Sequence, residues 1–397
     1  MTAESISVAR PRNRKQLIVD AAGRLFSERG YHAASMEDIA AAVGITAAAL
    51  YRHFPNKYAL FAACTRTMVD RLVAALDALP PETPAADVLT ALIRVTVAHR
   101  TSGGVYRWEA RYLVREDRLL LKEKFGQVVE RVTEAVHREN GRPRDPLRAV
   151  AALGAIGSLT MHRTSIAQRR VEELLSACAL RVAATGPARS GPAPTGPGPD
   201  AREARAVELP ALPVPRSRRA EILAAAVPLF ARDGFTSVTN GQIAEAVGIA
   251  PSALYRHYPG KVDILAAACL QAAGLLAQAV DRSLDGVDDP HEAVAVLAAT
   301  YVAYSFEHTA LTSVAEAEFV GLPADLQRPL VQAQREHIAV WEEQLRLARP
   351  DLDPRQARVL VHAGFGVVVE AGRRLRWRDG PDHRALVTRL VVAALGL

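Results

Sequence analysis

Thr46–Lys57, TAAALYRHFPNK, returns as APSALYRHYPGK at Ala250–Lys261. At this offset of 204 residues, Arg14–Cys64 aligns with Arg218–Ala268 without a gap. Ile18/Ile222, Phe26/Phe230, Gly30/Gly234, Ile39/Ile243, Gly44/Gly248, Tyr51/Tyr255, His53/His257, Pro55/Pro259 and Lys57/Lys261 are identical pairs. So long a period is a whole domain, not a solenoid unit. One domain type is present twice.

Working outward, Leu17, Ile18, Ala21, Ala22, Leu25 and Phe26 fall at three- and four-residue steps, which predicts a first helix with one buried face. Gly30 ends it, since glycine enters the left-handed conformation without a Cβ clash. Ser35-Met-Glu-Asp38 reads as a capping-box variant opening a short second helix whose inner side is Ile39, Ala40 and Val43. Gly44 allows a tight turn, Thr46 caps a third helix carrying Leu50, Tyr51 and Phe54, and Pro55 stops it. A fourth helix follows from about Asn56 to Leu76. The second copy repeats this order, with Thr239-Asn-Gly-Gln242 as its capping box and Pro251 in a first-turn position. Pro228 stands where the first copy has Arg24, so a kink or a lost hydrogen bond is expected there. Two short helices joined by a glycine turn and packed on a longer one make a helix-turn-helix, whose second helix lies in the major groove.

Glycine turn, short helix, Leu-Tyr-Arg-His-aromatic-Pro-Asn/Gly-Lys and long fourth helix together resemble the TetR family of bacterial transcriptional regulators. The resemblance covers about 50 residues in each half. It implies an all-α fold of two tandem TetR-like units. Each would hold an N-terminal three-helix helix-turn-helix DNA-binding domain and a C-terminal helical ligand-binding and dimerisation domain. The DNA contacts it implies are Ser35, Thr46, Ala47, Ala48, Tyr51, His53 and Lys57 in the first copy. In the second they are Thr239, Pro251, Ser252, Tyr255, His257 and Lys261. Tyr51 can bond a phosphate through its hydroxyl, and Lys57 adds a cation at the start of the fourth helix. Each phosphate neutralised steepens the salt dependence by ~0.9 log unit per log unit of salt. Ala47-Ala48-Ala49 offers methyl groups and no bidentate donor to base edges, so readout there depends on apolar contact and DNA shape. The heads differ in sequence, and the two half-sites need not be identical.

The expected organisation is a basic N-terminal arm over 1–13, a first head over 14–60 and a first helical domain over 61–185. A Pro/Gly-rich linker over 186–215 follows, then a second head over 216–264 and a second helical domain over 265–397. The resemblance implies a small-molecule pocket in each helical domain. Trp108, Glu109 and Tyr112 line up with Ala315, Glu316 and Phe319, which makes Trp108, Glu109, Tyr112, Glu316 and Phe319 the pocket candidates. It also implies a dimerising four-helix bundle, formed either within one chain or between two. Gly154 and Gly157 permit close helix approach there.

The composition fits this reading. At 397 residues the chain suits two domains, and 49% hydrophobic residues with few aromatics favour helices around sizeable cores. A net charge of +6 suits an acidic partner. Cys64, Cys178 and Cys269 show neither disulfide nor zinc spacing, and the start of the chain lacks an apolar signal core. No run is expected to be apolar enough for a membrane span, and a cytoplasmic location is expected. Phosphate-cradling loops, HExxH, Cys-x-x-Cys and serine elbows are missing from the sequence, so no catalytic residue, metal or cofactor is expected. The function expected is a ligand-responsive regulator, a repressor by resemblance, binding a double-stranded DNA operator. The alternative is a ligand- or protein-binding module in which one or both heads no longer bind DNA.

Overall fold

The computed structural model describes residues 14–102, 104–105, 112–141, 144–186, 207–380 and 382–397. The expected arm over 1–13, the pocket candidates Trp108 and Glu109, and most of the expected linker lie outside them. Helices and turns make up the described residues, with no strand among them.

The first head is α1 (Arg14–Ala33), α2 (Met36–Ala42) and α3 (Ala47–Tyr51), followed by α4 (Lys57–Asp77). Gly30 has φ 78°, so α1 breaks there as the sequence predicts. The α2 capping box is closed: Asp38 N–H donates to Ser35 Oγ at 3.0 Å and Ser35 N–H to Asp38 Oδ2 at 3.2 Å. Gly44, at φ 66°, makes the turn into α3. Ile18, Phe26, Ile39, Leu50, Phe54, Leu60 and Phe61 converge as the head's core. Phe26 meets Phe61 edge-on at 5.5 Å, an arrangement that suits the ring quadrupoles.

The second head repeats this plan with α9 (Arg218–Asp233), α10 (Asn240–Ala246) and α11 (Pro251–Leu254), then α12 (Lys261–Leu284). Its core is Ile222, Phe230, Ile243, Leu254, Tyr258, Ile264 and Leu265. α9 runs through Pro228 as one helix; the proline has no N–H to donate, so a backbone hydrogen bond is lost there, one of the two outcomes expected. The last residues before α9 are not free linker. Leu209 packs against this core and Pro210 is buried, because the stretch offers apolar side chains beside an open edge of the head.

Between and after the heads lie α5 (Ala85–Ala98), α6 (Arg115–Asn140), α7 (Pro146–Gly157), α8 (Gln168–Ala184), α13 (Pro290–Glu307), α14 (Thr309–Glu318), α15 (Ala324–Ala348), α16 (Pro354–Arg374) and α17 (His383–Leu395). α7, α8, α16 and α17 pack together as a four-helix bundle within the one chain. α7 and α16 cross where Gly154 faces Gly366, and a Cβ on either would overlap the other's backbone. Arg181 on α8 donates to the carbonyls of Ala393 and Ala394 at 2.8 and 3.1 Å, and Arg349 donates to Leu395 at 3.0 Å. Two guanidinium groups thus cap the C-terminal end of α17, where free carbonyls and the helix dipole favour cations.

This bundle explains why the compact units do not follow the repeat. One unit is the described part of the chain to Ala74 with His99–Gly126. The other is Ala75–Ala98 with Gln127–Leu397. The first repeat's last helices cluster with the second repeat because they share its core. One further expectation needs correction: α12 is long and apolar enough to cross a membrane, with a mean hydropathy of 1.6 over its best window. Its alanine-rich sequence gives that value, and Ile264, Leu265, Ala268, Cys269, Ala272, Leu275 and Ala279 are buried in the protein interior.

Candidate nucleic-acid interface

Each head holds its third helix so that the core side is sealed and the other side faces out. Leu50 and Leu254 are fully buried, while Tyr51 and Tyr255 are 46% and 55% exposed. Thr46, Ala48 and His53 are exposed in the first head, with Ala47 and Ser35 half-buried. Thr239, Pro251 and Ser252 are exposed in the second, with His257 half-buried. In both heads the candidate contacts on the second and third helices are exposed or half-buried, and none enters the core. Two exposed arginines that the spacing did not single out adjoin them in sequence. Arg52 and Arg256 are exposed, and neither has a carboxylate partner among the described residues. The signal was present, since Arg follows Tyr in both copies of the repeated string.

The heads hold their helices differently. Thr46 Oγ1 accepts from Ala49 N–H at 3.2 Å and caps α3. Ala250, the equivalent position, has no side chain to do this, and Pro251 starts α11 by its fixed φ instead. Asp38 opens α2 with a carboxylate held below its ordinary pKa by hydrogen bonds from Ser35, with Arg29 at 3.2 Å adding to the effect. Gln242 closes the equivalent box without charge: Thr239 N–H donates to Gln242 Oε1 at 2.8 Å. Asn240 Nδ2 donates to the hydroxyl of Tyr255 at 2.9 Å, whereas the first head has apolar Met36 at that position.

Lys57 and Lys261 have an internal role that the spacing did not reveal. Lys57 Nζ donates to the carbonyl of His32 at 3.0 Å and lies over the Tyr31 ring at 4.8 Å. Lys261 Nζ donates to the carbonyls of Phe235, Thr236 and Val238 at 2.6, 3.4 and 2.5 Å, over the Phe235 ring at 4.5 Å. Both ammonium groups close the loop between the first two helices of their head. Burial lowers the pKa of both. A second tie fixes the end of the reading helix. Arg219 lies 3.9 Å from the Tyr258 ring centre, with Lys15 over Phe54 at 5.4 Å in the first head.

The pocket candidates separate. Tyr112 stacks on Tyr31 at 5.6 Å and packs against the first head's core, and Phe319 packs against the second head's core. Both rings thus pack on the cores of their heads. Glu316 is half-buried, and its carboxyl is pushed up to about 7 by burial; Glu370 adds to the shift and Arg373 opposes it. Its neighbourhood holds residues that the repeat register did not select. Tyr301, His337, Trp341 and Phe365 form one aromatic cluster, with Phe365 4.7 Å from Tyr301, 5.6 Å from His337 and 5.3 Å from Trp341. Trp341 is fully buried, and its Nε1–H has no partner among the described residues. Burial pushes His337 down to about 4, so its ring is neutral at pH 7. Spacing on α15 was the available signal, since His337 and Trp341 share one helix face.

Comparison with known proteins falls on the same residues. The model of the bacterial regulatory proteins of the tetR family matches twice, at residues 18–64 and 222–268. The HTH-type transcriptional activator FasR of Mycolicibacterium smegmatis is 44% identical over 64 residues, 16% of this chain and 29% of that protein. The HTH-type transcriptional repressor Rv1474c of Mycobacterium tuberculosis is 38% identical over 61 residues, 15% of this chain and 33% of that protein. The chain spans half or less of the length of the curated relatives it matches. A TetR-family transcriptional regulator from Bordetella parapertussis has a solved structure that is 24% identical, with a TM-score of 0.42. That match covers 46% of this chain and 96% of that one. The gapless repeat, the two closed helix-turn-helix frames and the double family match coincide: residues 18–64 and 222–268 each carry the helix-turn-helix domain of the tetR family.

Proposed function

We propose that this chain is a DNA-binding transcriptional regulator whose two heads bind one operator as an intramolecular pair. The observation that carries this reading is the duplicated frame. In each head a buried leucine locks the third helix while tyrosine, arginine and small residues face outward. A paired regulator ordinarily needs two chains to present two heads. Here the bundle of α7, α8, α16 and α17 supplies the pairing inside one chain. Because the heads differ in sequence, the operator is two unlike half-sites. The first head contacts its half-site with alanine methyls and the second with Ser252 at the matching position.

Regulation would come from an effector in the second helical domain. The aromatic cluster around Phe365, the unpartnered Trp341 Nε1–H, the neutral His337 and the near-neutral Glu316 suit a largely apolar ring-bearing molecule with one hydrogen-bond acceptor. Such a molecule changes DNA affinity only if it binds the two states of the protein unequally.

Selection of bound duplexes from a random library tests the reading, followed by footprinting of the selected fragment. Enrichment of one motif with two unlike halves supports it. No enrichment at low salt, with folded protein, overturns it and leaves the interaction-module alternative.

A further inference from the structure

The turn between α16 and α17 carries an arginine cluster outside both reading heads. Arg373, Arg374, Arg376 and Arg378 are all exposed within six positions. Arg373 pairs with Glu370 at 3.3 Å, and the nearby acids Asp379 and Glu307 are both engaged by Arg384, at 2.6 and 3.1 Å. Arg374, Arg376 and Arg378 therefore project without a carboxylate partner among the described residues.

The backbone that presents them is held in an uncommon conformation. Arg376 and Trp377 have φ of 55° and 53°, a left-handed region that residues with a Cβ avoid. Two consecutive residues persist there only because surrounding structure over-determines them. Trp377 is that anchor: its ring lies on Gly372, where any Cβ would overlap it, and meets Phe306 at 5.4 Å. Trp377 N–H also donates to the Gly372 carbonyl at 2.8 Å. A solvated loop needs no such anchor, and strain of this kind concentrates at binding sites.

The turn's place in the fold indicates its partner. Phe306 is in the last turn of α13, beside Tyr304, which belongs to the second head's core cluster. α14 begins three residues later; Leu311 and Val314 enter the same cluster, and Glu318 Oε1 accepts from Phe235 N–H at 3.4 Å. The arginine turn thus lies at the end of its unit that carries the helix-turn-helix.

We infer that Arg374, Arg376 and Arg378 form an additional contact to duplex DNA, made to backbone phosphates outside the bases the heads read. The inference rests on the proposed DNA-binding function. Guanidinium groups suit phosphate oxygens through paired N–H donors, and contacts of this kind raise affinity without regard to sequence.

The test measures binding of the full chain across a salt series to two duplexes: the one it selects from a random library and a scrambled one of equal length. The Arg374→Ala, Arg376→Ala, Arg378→Ala variant is expected to lose about tenfold or more in affinity on both duplexes. Its slope of log affinity against log salt flattens by ~2–3. The selected duplex keeps its advantage over the scrambled one, and lysine at all three positions restores most of the slope. Wild-type affinity and slope in the alanine variant overturn the inference, as does a loss that lysine fails to restore. If the intact chain binds neither duplex, the DNA-binding reading itself fails, and this inference falls with it.

Discussion

The two heads share a frame and differ in the surface that the frame displays. In both, buried isoleucine, phenylalanine and leucine fix three helices, a glycine at φ 66° makes the turn, and a lysine closes the first loop. On the outside, the first head offers Ala48, a capping threonine and the anionic Asp38. The second offers Ser252, Pro251 and the neutral Gln242. The lesson is that the two copies share what the helices need to pack, together with the outward Tyr-Arg-His, and differ at the caps and the first turn of the third helix. A homodimer must present the same surface twice. A chain with two heads is released from that constraint.

The largest expected effect comes from breaking both displays together. Ala48→Glu with Ser252→Glu places carboxylates on both reading helices, against the phosphates and the acceptors of the bases. Operator affinity in a gel-shift titration should fall by ~100-fold or more, about 3 kcal/mol, with the helical circular dichroism unchanged. Either substitution alone should leave weakened but measurable binding, since the other head still docks. Equal loss from one substitution and from both would mean that only one head binds.

Next are the lysines. Removing Lys261 leaves three carbonyls of one loop without their donor, whereas removing Lys57 leaves one. Lys261→Ala should destabilise its head by ~2–3 kcal/mol and Lys57→Ala by ~1 kcal/mol, read as loss of amide exchange protection within each head. Unchanged protection with a loss of DNA affinity would place the ammonium groups on DNA instead.

A pH comparison concerns the second repeat, whose effector candidate is within the described residues. Glu316 has a folded-state pKa of about 7, above the ordinary glutamate value of 4.5. A raised carboxylate pKa means that ionisation opposes folding, so the penalty grows between pH ~4.5 and ~7 and is complete above that. Glu316→Gln should therefore raise the melting temperature at pH 8, by the equivalent of ~1–2 kcal/mol, and leave it unchanged at pH 4. A stabilisation equal at both values would show that the carboxyl titrates normally.

The smallest expected effect is at the caps. Thr46→Ala removes the side-chain bond to Ala49 N–H and should cost the first head about 1 kcal/mol. Ala250→Thr supplies the missing cap and should stabilise the second head by somewhat less, because Pro251 already sets the entry of α11. Exchange protection at the reading helices measures both.

Much of the head was legible in the sequence because its signals are local. Glycine turns, capping boxes and three-to-four-residue apolar spacing act over a few positions, and each formed where the residues placed it. What failed to show was long-range or ambivalent. Lys57 and Lys261 look like free cations in a linear string; only the folded loop brings carbonyls 23 to 26 residues away in sequence onto them. Tyr112 and Phe319 look like pocket aromatics, yet both sit against head cores. His337, Trp341 and Phe365 come from two helices and meet only after α15 and α16 pack. Leu209 and Pro210 belong by composition to a linker, and they dock because an apolar edge is within reach.

The central claim is that a single chain supplies both reading heads for one operator. The direct measurement is the native mass of the complex formed with the selected duplex, taken together with the length of its nuclease footprint. One chain per duplex, protecting two adjacent unlike half-sites, is the predicted result. Two chains per duplex with a footprint twice that long would contradict it, and would mean that each unit finds its partner in another copy.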